Sequence, residues 1–332
     1  MKNKPFVLLL LLAAMFSFPV EAVKLSEGDY RFREDVEAFI KDVAARSDYT
    51  EQQLIDLFGQ VQNQRHLFER MDKPAEKLEW HQYRKIFLTD KRIQKGIQFW
   101  QKNKDLLARV EQTYLVPAEY IVAIVGVETF YGAYKGKAPV FDTLVTFAFD
   151  YPKRARFFTR ELEEFLVLSA AQNLDVRSIK GSYAGAMGIP QFIASSYRHY
   201  AVDFDGDGEA NLFDSLPDVL GSVANYFKRH GWKAGEAVTY PLVVAEKSRL
   251  NQVKAGVKPV YTLSDLQSAG FKASQPLSPD TAVALIKLKQ QDSIDYWAGL
   301  KNFYVITRYN HSELYAMAVF QLSQEIKAGV KL

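Results

Sequence analysis

The chain has 332 residues, 48% of them hydrophobic and 24% charged, which is long enough to bury a sizeable core and too apolar for a disordered chain. Its 42 Lys and Arg against 39 Asp and Glu leave a formal charge of +3, so nothing in the balance marks a nucleic-acid partner, and none is expected. There is no cysteine, which removes disulfides, thiolate metal sites, thiol nucleophiles and Cys-linked lipid anchors.

Lys2 and Lys4 precede an apolar run from Phe6 to Phe18, followed by Val20-Glu21-Ala22. The run is shorter than the about 20 apolar residues that a bilayer-crossing helix needs. The layout therefore predicts a secretory signal over residues 1–22, cleaved after Ala22. The mature protein is expected to be periplasmic, soluble and monomeric, with no stable membrane anchor.

From Gly28 to about Val116, apolar residues such as Val36, Phe39, Ile40 and Val43 recur at helical spacing, which predicts a helical N-terminal region over 23–116. Pro117 suits the first turn of a new helix, and Gly132 is the expected stop. Further helices are predicted over Ala155 to Asn173 and over Leu216 to Arg229. Residues 238–299 change texture: Val243-Val244, Val260-Tyr261 and Ala282 to Ile286 read as short strands in a small α+β region. The last segment, 300–332, passes from a β-like Tyr304-Val305-Ile306 into a helical pattern with Leu314, Ala318, Leu322 and Ile326, and is expected to return to the core. The predicted class is mainly α (α+β).

In the helix after Pro117, Ile121, Ile124, Val125 and Glu128 share one face, so a carboxylate sits on an apolar stripe. Desolvation favours the protonated form of such a group, which is then a general acid. A solvated Glu at a frayed helix end is the bland alternative. The run from Lys180 to Phe192 carries three glycines, then Pro190 and Gln191. That density lets backbone approach a ligand closely, with Ser182 and Gln191 as hydrogen-bonding groups and Tyr183 and Phe192 as flat surfaces. A plain loop accounts for the glycines equally well.

Together these motifs resemble the lytic murein transglycosylases of the membrane-bound type B group. The resemblance rests on Val125 to Thr129, the Gly181 to Gly188 run with Gln191-Phe192, Gly221 to Phe227 followed by His230-Gly231-Trp232, and Tyr304 to Asn310. It implies a lysozyme-like catalytic core over 117–237, to which 300–332 returns, and peptidoglycan glycan strands as substrate. It implies Glu128 as catalytic acid/base and Ser182, Gln191, Tyr226, Tyr309 and Asn310 along the cleft. The bond between N-acetylmuramic acid and N-acetylglucosamine would be broken without water, leaving 1,6-anhydro ends. A lysozyme-type hydrolase using Asp142 or Asp150, or a glycan-binding protein without chemistry, are the rival readings. The lipoprotein cysteine of type B relatives has no counterpart here.

The stretch Asp203 to Asp214 follows the spacing of a calcium-binding EF-hand loop: Asp203, Asp205 and Asp207 at positions 1, 3 and 5, Gly208 at 6, the Glu209 carbonyl at 7 and Asp214 at 12. Hard oxygen donors favour Ca²⁺ over zinc, and the ion's role is expected to be structural. An acidic Asp-Gly turn without metal is the alternative.

Overall fold

The computed structural model describes residues 24–73, 77–247 and 249–330, so the predicted signal lies outside the described residues. Two compact units divide the chain at Gln60. In the first, α1 (Glu34–Ala44) and α2 (Glu51–Gly59) pack through Val36, Phe39, Ile40, Leu54 and Phe58. Helix α2 starts where Thr50 and Gln53 satisfy one another's backbone N–H groups in a capping box.

The second unit begins with α3 (Phe68–Asp72), α4 (Trp80–Phe87), α5 (Asp90–Lys102) and α6 (Lys104–Tyr114). These lead into α7 (Ala118–Thr129), which has every residue but Glu128 buried. An amphipathic stripe would bury one face; α7 is apolar all round because α5, α6, α11 (Leu216–Arg229) and α14 (Glu313–Gly329) all pack on it. Pro117 caps the helix from outside its first turn, and the helix ends at Thr129, three residues short of the expected Gly132. Phe130 and Tyr131 both adopt positive φ, 52° and 60°, and the Tyr131 N–H returns to the Val125 carbonyl, a left-handed cap built from aromatic residues.

Strand β1 (Ala138–Pro139) leads to α8 (Val140–Asp150) and α9 (Ala155–Ala171), which pack as a pair; β2 (Lys180–Gly181) then pairs antiparallel with β1. A short helix, α10 (Ala194–Tyr200), lies on α9. No single helix among the described residues is long and apolar enough to cross a membrane.

The predicted α+β region holds β3 (Thr239–Val244), β4 (Tyr261–Thr262), α12 (Leu263–Ser268), β5 (Phe271–Ala273), β6 (Ala282–Lys289) and β7 (Ile294–Gly299). Its antiparallel sheet runs β4-β6-β7-β3-β5. Val283 and Leu285 of β6 join Leu266 of α12 and Phe271 in a local core, while β6 also contacts α4. Cover on both faces explains why β6 reads as one apolar run rather than an alternation. The β-like Tyr304-Val305-Ile306 is corrected by the structure: it lies in helix α13 (Lys301–Ile306). A three-residue apolar run cannot separate strand from buried helix by period. The tertiary context decides, because buried Asn302 accepts from the Lys233 N–H and donates to the Lys233 and Glu236 carbonyls, turning the chain as it leaves β7.

The α9–α10 junction is held by buried Glu161, which accepts from the Ser195 N–H at 3.0 Å and the Ser195 hydroxyl at 2.7 Å. Burial holds its carboxyl above the ordinary range, partly offset by the Ser195 bonds. Glu161→Ala strands two half-buried donors and should cost about 2–4 kcal/mol in denaturant unfolding. Because the folded-state value is raised, protonation favours the fold; the stability of wild type relative to Glu161→Gln should fall as pH rises from about 4.3 through the raised value. A pH-independent difference between those two proteins would contradict this account.

Candidate active site

Glu128 occupies the last turn of α7, half-buried, where the positive-φ cap swings the chain away and opens space beside its carboxylate. The Tyr315 hydroxyl, near the start of α14, donates to Glu128 Oε1 at 2.5 Å. Burial, then the negative charge of Glu128, holds the Tyr315 and Tyr309 hydroxyls well above their usual range. Their rings stack at 13°, with centroids 6.4 Å apart. Thr129 turns away from the cavity, donating to the Ile189 carbonyl and accepting from the Gly132 N–H, which ties the end of α7 to the glycine-rich run.

That run is a folded wall. Ser182 and Ala186 bond through their backbones, Met187 pairs with Phe192, and Ser182 Oγ accepts the N–H groups of Ala184 and Ala186 at 3.2 and 3.1 Å. Its glycines serve approach within the protein: a Cβ on Gly188, at φ +71°, would meet the Leu212 carbonyl oxygen at 2.5 Å. Gln191 itself holds a positive φ of 51° and spends its amide nitrogen on the Lys135 and Gly188 carbonyls.

Glu128, Ser182, Gln191, Tyr309 and Asn310 line one open cavity of about 660 Å³, with Tyr183, Arg154, Phe157 and His311 also on its walls. Tyr226 lies elsewhere, on an adjoining cavity of about 460 Å³ that shares Gln191 and Tyr309. Tyr226 is buried and donates its hydroxyl to the Arg308 carbonyl; Tyr309 donates to the Pro190 carbonyl at 2.6 Å. Their rings, with Phe192, form a contiguous aromatic floor at centroid distances of 4.9 to 5.7 Å. Sequence reasoning missed Tyr315, which reads as one more core aromatic on a helix, and Arg154, whose turn carries no motif.

Neither rival carboxylate reaches the cavity. Asp142 is buried, pairs with Arg177 and accepts the Gln62 N–H; Asp150 pairs with Arg65.

The acidic loop joins α10 to α11. Asp203 accepts the N–H groups of Gly206, Asp207 and Gly208, and these bonds, that of Gly208 foremost, lower its pKa. Asp205 accepts the Ser215 hydroxyl, Asp207 accepts the Glu209 N–H, Glu209 is exposed, and Asp214 pairs with Lys135. Asp203 and Asp205 can each bring one carboxylate oxygen within 4.8 Å of the other and of a third, from Asp218. Asp218 lies outside the twelve-residue spacing, is fully buried and accepts the N–H groups of Phe204 and Asn211.

A mainly helical core with one glutamate in a cleft of hydroxyls, amides and flat rings defines a lysozyme-like enzyme. Residues 31–324 match the family described as Transglycosylase SLT domain. The chain is 41% identical over 318 residues to membrane-bound lytic murein transglycosylase B of Escherichia coli K12, covering 93% of this chain and 87% of that one. Soluble lytic transglycosylase SltB1 of Pseudomonas aeruginosa superposes with TM-score 0.83 at 45% identity, over 89% of this chain and 98% of that one. Escherichia coli Slt35, solved in complex with calcium, superposes with TM-score 0.84 at 41% identity, over 91% and 95%. The chain therefore belongs to the lytic transglycosylases of the SLT-domain family.

Gly136, at φ +92°, packs against the glycine-rich run, where a Cβ would lie 2.0 Å from the Gly181 carbonyl oxygen. Gly136→Ala should destabilise the protein by about 3 kcal/mol, adding left-handed strain to a backbone clash. Unchanged stability in chemical denaturation would show that the two segments can part freely.

Proposed function

We propose that this chain is an exported enzyme that cuts peptidoglycan glycan strands without water, with Glu128 as the single acid and base. The observation that carries this reading is that Glu128 is the only carboxylate among the described residues lining its cavity. Two-carboxylate hydrolysis needs a partner about 5–9.5 Å away on the opposite face of the sugar. Asp142 and Asp150 are engaged with Arg177 and Arg65 instead.

The protonated Glu128 carboxyl donates to the glycosidic oxygen between N-acetylmuramic acid and N-acetylglucosamine as the C1–O bond breaks. The 2-acetamido carbonyl of the muramoyl residue can attack C1 and hold the sugar as a cyclic intermediate. The Glu128 carboxylate then accepts the proton of the muramoyl 6-hydroxyl, whose oxygen bonds to C1 and displaces the acetamido oxygen. The products are a free 4-hydroxyl and a 1,6-anhydro end, and Glu128 is protonated again. Tyr315 orients the carboxylate and supports its anionic form through its hydrogen bond. Ser182 Oγ, already accepting two N–H groups, has only its proton left to offer an acetamido or hydroxyl oxygen. Gln191, its nitrogen spent, offers an acceptor oxygen; Asn310 and the ring of Tyr309 complete the sugar contacts. Residues 117–237 and 300–332 form the catalytic core, 23–116 the helical N-terminal region, and 238–299 the inserted α+β region. Export on residues 1–22 brings the enzyme to its substrate in the periplasm.

A calcium ion fits the acidic loop, since Asp203, Asp205 and Asp218 offer hard oxygen donors at a spacing where uncompensated carboxylates repel. Bound there, the ion supplies charge compensation and ties the loop to α11; no catalytic step needs it. Asp207, the Glu209 carbonyl and Asp214 are the remaining donors that the loop's spacing provides.

Glu128→Gln should lower glycan cleavage by at least about 10³-fold while leaving the melting temperature near wild type. Muropeptides released by wild type should resist borohydride reduction; reducible ends would establish hydrolysis. Calcium at about 1 mM should raise the melting temperature of wild type. Asp205→Asn should remove most of that increment and leave cleavage at 25 °C intact, and an equal shift in both proteins would place the ion elsewhere.

A further inference from the structure

The strained end of α7 is fastened to one residue that lines neither cavity. Arg92, in the first turn of α5, is half-buried, and its Nε donates to the Gly126 carbonyl at 3.1 Å, an oxygen that also accepts the Phe130 N–H. Its Nη1 donates to the Ile86 carbonyl near the end of α4. The guanidinium lies over the rings of both Phe87 and Phe130, 5.2 Å from each centroid. In return, the Tyr131 hydroxyl donates to the Arg92 carbonyl at 2.9 Å, and a Cβ on Gly96, one turn along α5, would lie 2.4 Å from that hydroxyl. Gly126, Phe130 and Tyr131 are thus all tied to Arg92, and Glu128 is the residue enclosed between them in the chain.

Two features make this more than an ordinary helix contact. Helices commonly end on a glycine in the left-handed region, and two consecutive aromatic residues there persist only where their neighbours over-determine the backbone. Burial lowers the Arg92 pKa, and among the described residues its charge is met by carbonyls and rings, not by a carboxylate. A guanidinium suits that setting, because it donates in its plane while its faces rest on aromatic rings; lysine has no such plane.

We propose that Arg92 is a positioning residue for the reaction: it fixes the backbone on either side of Glu128 and so aims the carboxyl, first at the glycosidic oxygen and then at the 6-hydroxyl. This rests on the reading of Glu128 as acid and base. Since Arg92 lies outside the cavity linings, it acts through Glu128 and not on the substrate, and its loss should lower kcat while sparing KM.

Steady-state cleavage of soluble glycan strands, below the melting transition of each protein, tests this. Arg92→Gln should lower kcat about 10- to 100-fold, as for an acid misplaced by about 1 Å, and leave KM within about twofold of wild type. Arg92→Lys keeps the charge and one donor and should recover part of the loss. Phe87→Leu, on α4 and away from the cavity, should lower kcat about threefold and add nothing to Arg92→Gln, because both changes act through the same guanidinium. Wild-type kcat in folded Arg92→Gln would overturn the proposal, as would a fall in kcat matched by loss of folded protein, or a raised KM at unchanged kcat. If Arg92→Gln does not fold, Arg92→Lys decides, and kcat equal to wild type there overturns the proposal. Cleavage by Glu128→Gln at the wild-type rate would instead remove the acid/base reading, and this one with it.

Discussion

The structure depends on burying one helix from every side. Helix α7 is built from residues such as Ile121, Val122, Ile124 and Val125 that are fully shielded from water, and it has no solvent face on which to place a charge. Its single ionisable residue near the C-terminal end, Glu128, therefore stands where the surrounding helices stop covering it. The left-handed pair Phe130-Tyr131 is what ends the cover: Tyr131 folds back beneath the helix, close enough to Gly126 that a Cβ there would lie 2.6 Å from its hydroxyl. Gly126 is thus needed to let the cap close, and the cap sets the depth of the carboxylate. Glu128 is thereby left half-buried at the end of α7, with its carboxylate open to the cavity.

Much of this was legible in the sequence because it is local. Helices α9 and α11 fall within two residues of the spans that periodicity predicts, and the α+β region announces itself by a change of texture. The glycine-rich run was legible as a wall of the cleft but for a different reason than ligand approach. Gly181 and Gly188 make room for the Ala186 and Leu212 carbonyls, and the polar side chains of Ser182 and Gln191 are first committed to holding the wall itself. Spatial partners were not legible. Tyr315 is separated from Glu128 by 187 residues and sits among buried neighbours that give it no distinguishing pattern. Asp218 belongs to the first turn of α11, so a spacing rule confined to twelve consecutive residues passes it over. The strand-like Tyr304-Val305-Ile306 fails for the same physical reason: its helix is stabilised by Asn302 reaching back to Lys233 and Glu236, a contact that no window can contain.

Aromatic residues divide between two jobs that the sequence does not distinguish. Phe227 and Trp232 stack at 13° in the interior, where area and close packing are what they contribute. Tyr226 and Tyr309 give their hydroxyls to backbone carbonyls, which immobilises the rings and leaves their faces to act. A tyrosine whose hydroxyl is spent internally is a rigid flat surface rather than a proton donor. This separates them from Tyr315, whose hydroxyl meets the Glu128 carboxylate directly.

The inserted sheet has a bearing on the cleft that its distance in sequence conceals. Strand β7 ends at Gly299, Leu300 bonds to the Val238 carbonyl, and the chain passes through α13 to deliver Tyr309 and Asn310 before α14 carries Tyr315 to Glu128. These residues close a site whose other walls were laid down between residues 128 and 193, so the cleft is completed only after the chain has gone out through β3 and returned through β7. Thr239, donating its hydroxyl to the Ala298 carbonyl, and the register that sets Thr239 opposite Gly299 fix where that return begins. A shift of one residue in the β3–β7 pairing would turn every side chain of the strand to the other face. It would also move the start of α13, and with it the Tyr309 ring of the aromatic floor. The sheet lies outside the cavity lining and still bears on it, because its register sets where Tyr315 meets the Glu128 carboxylate.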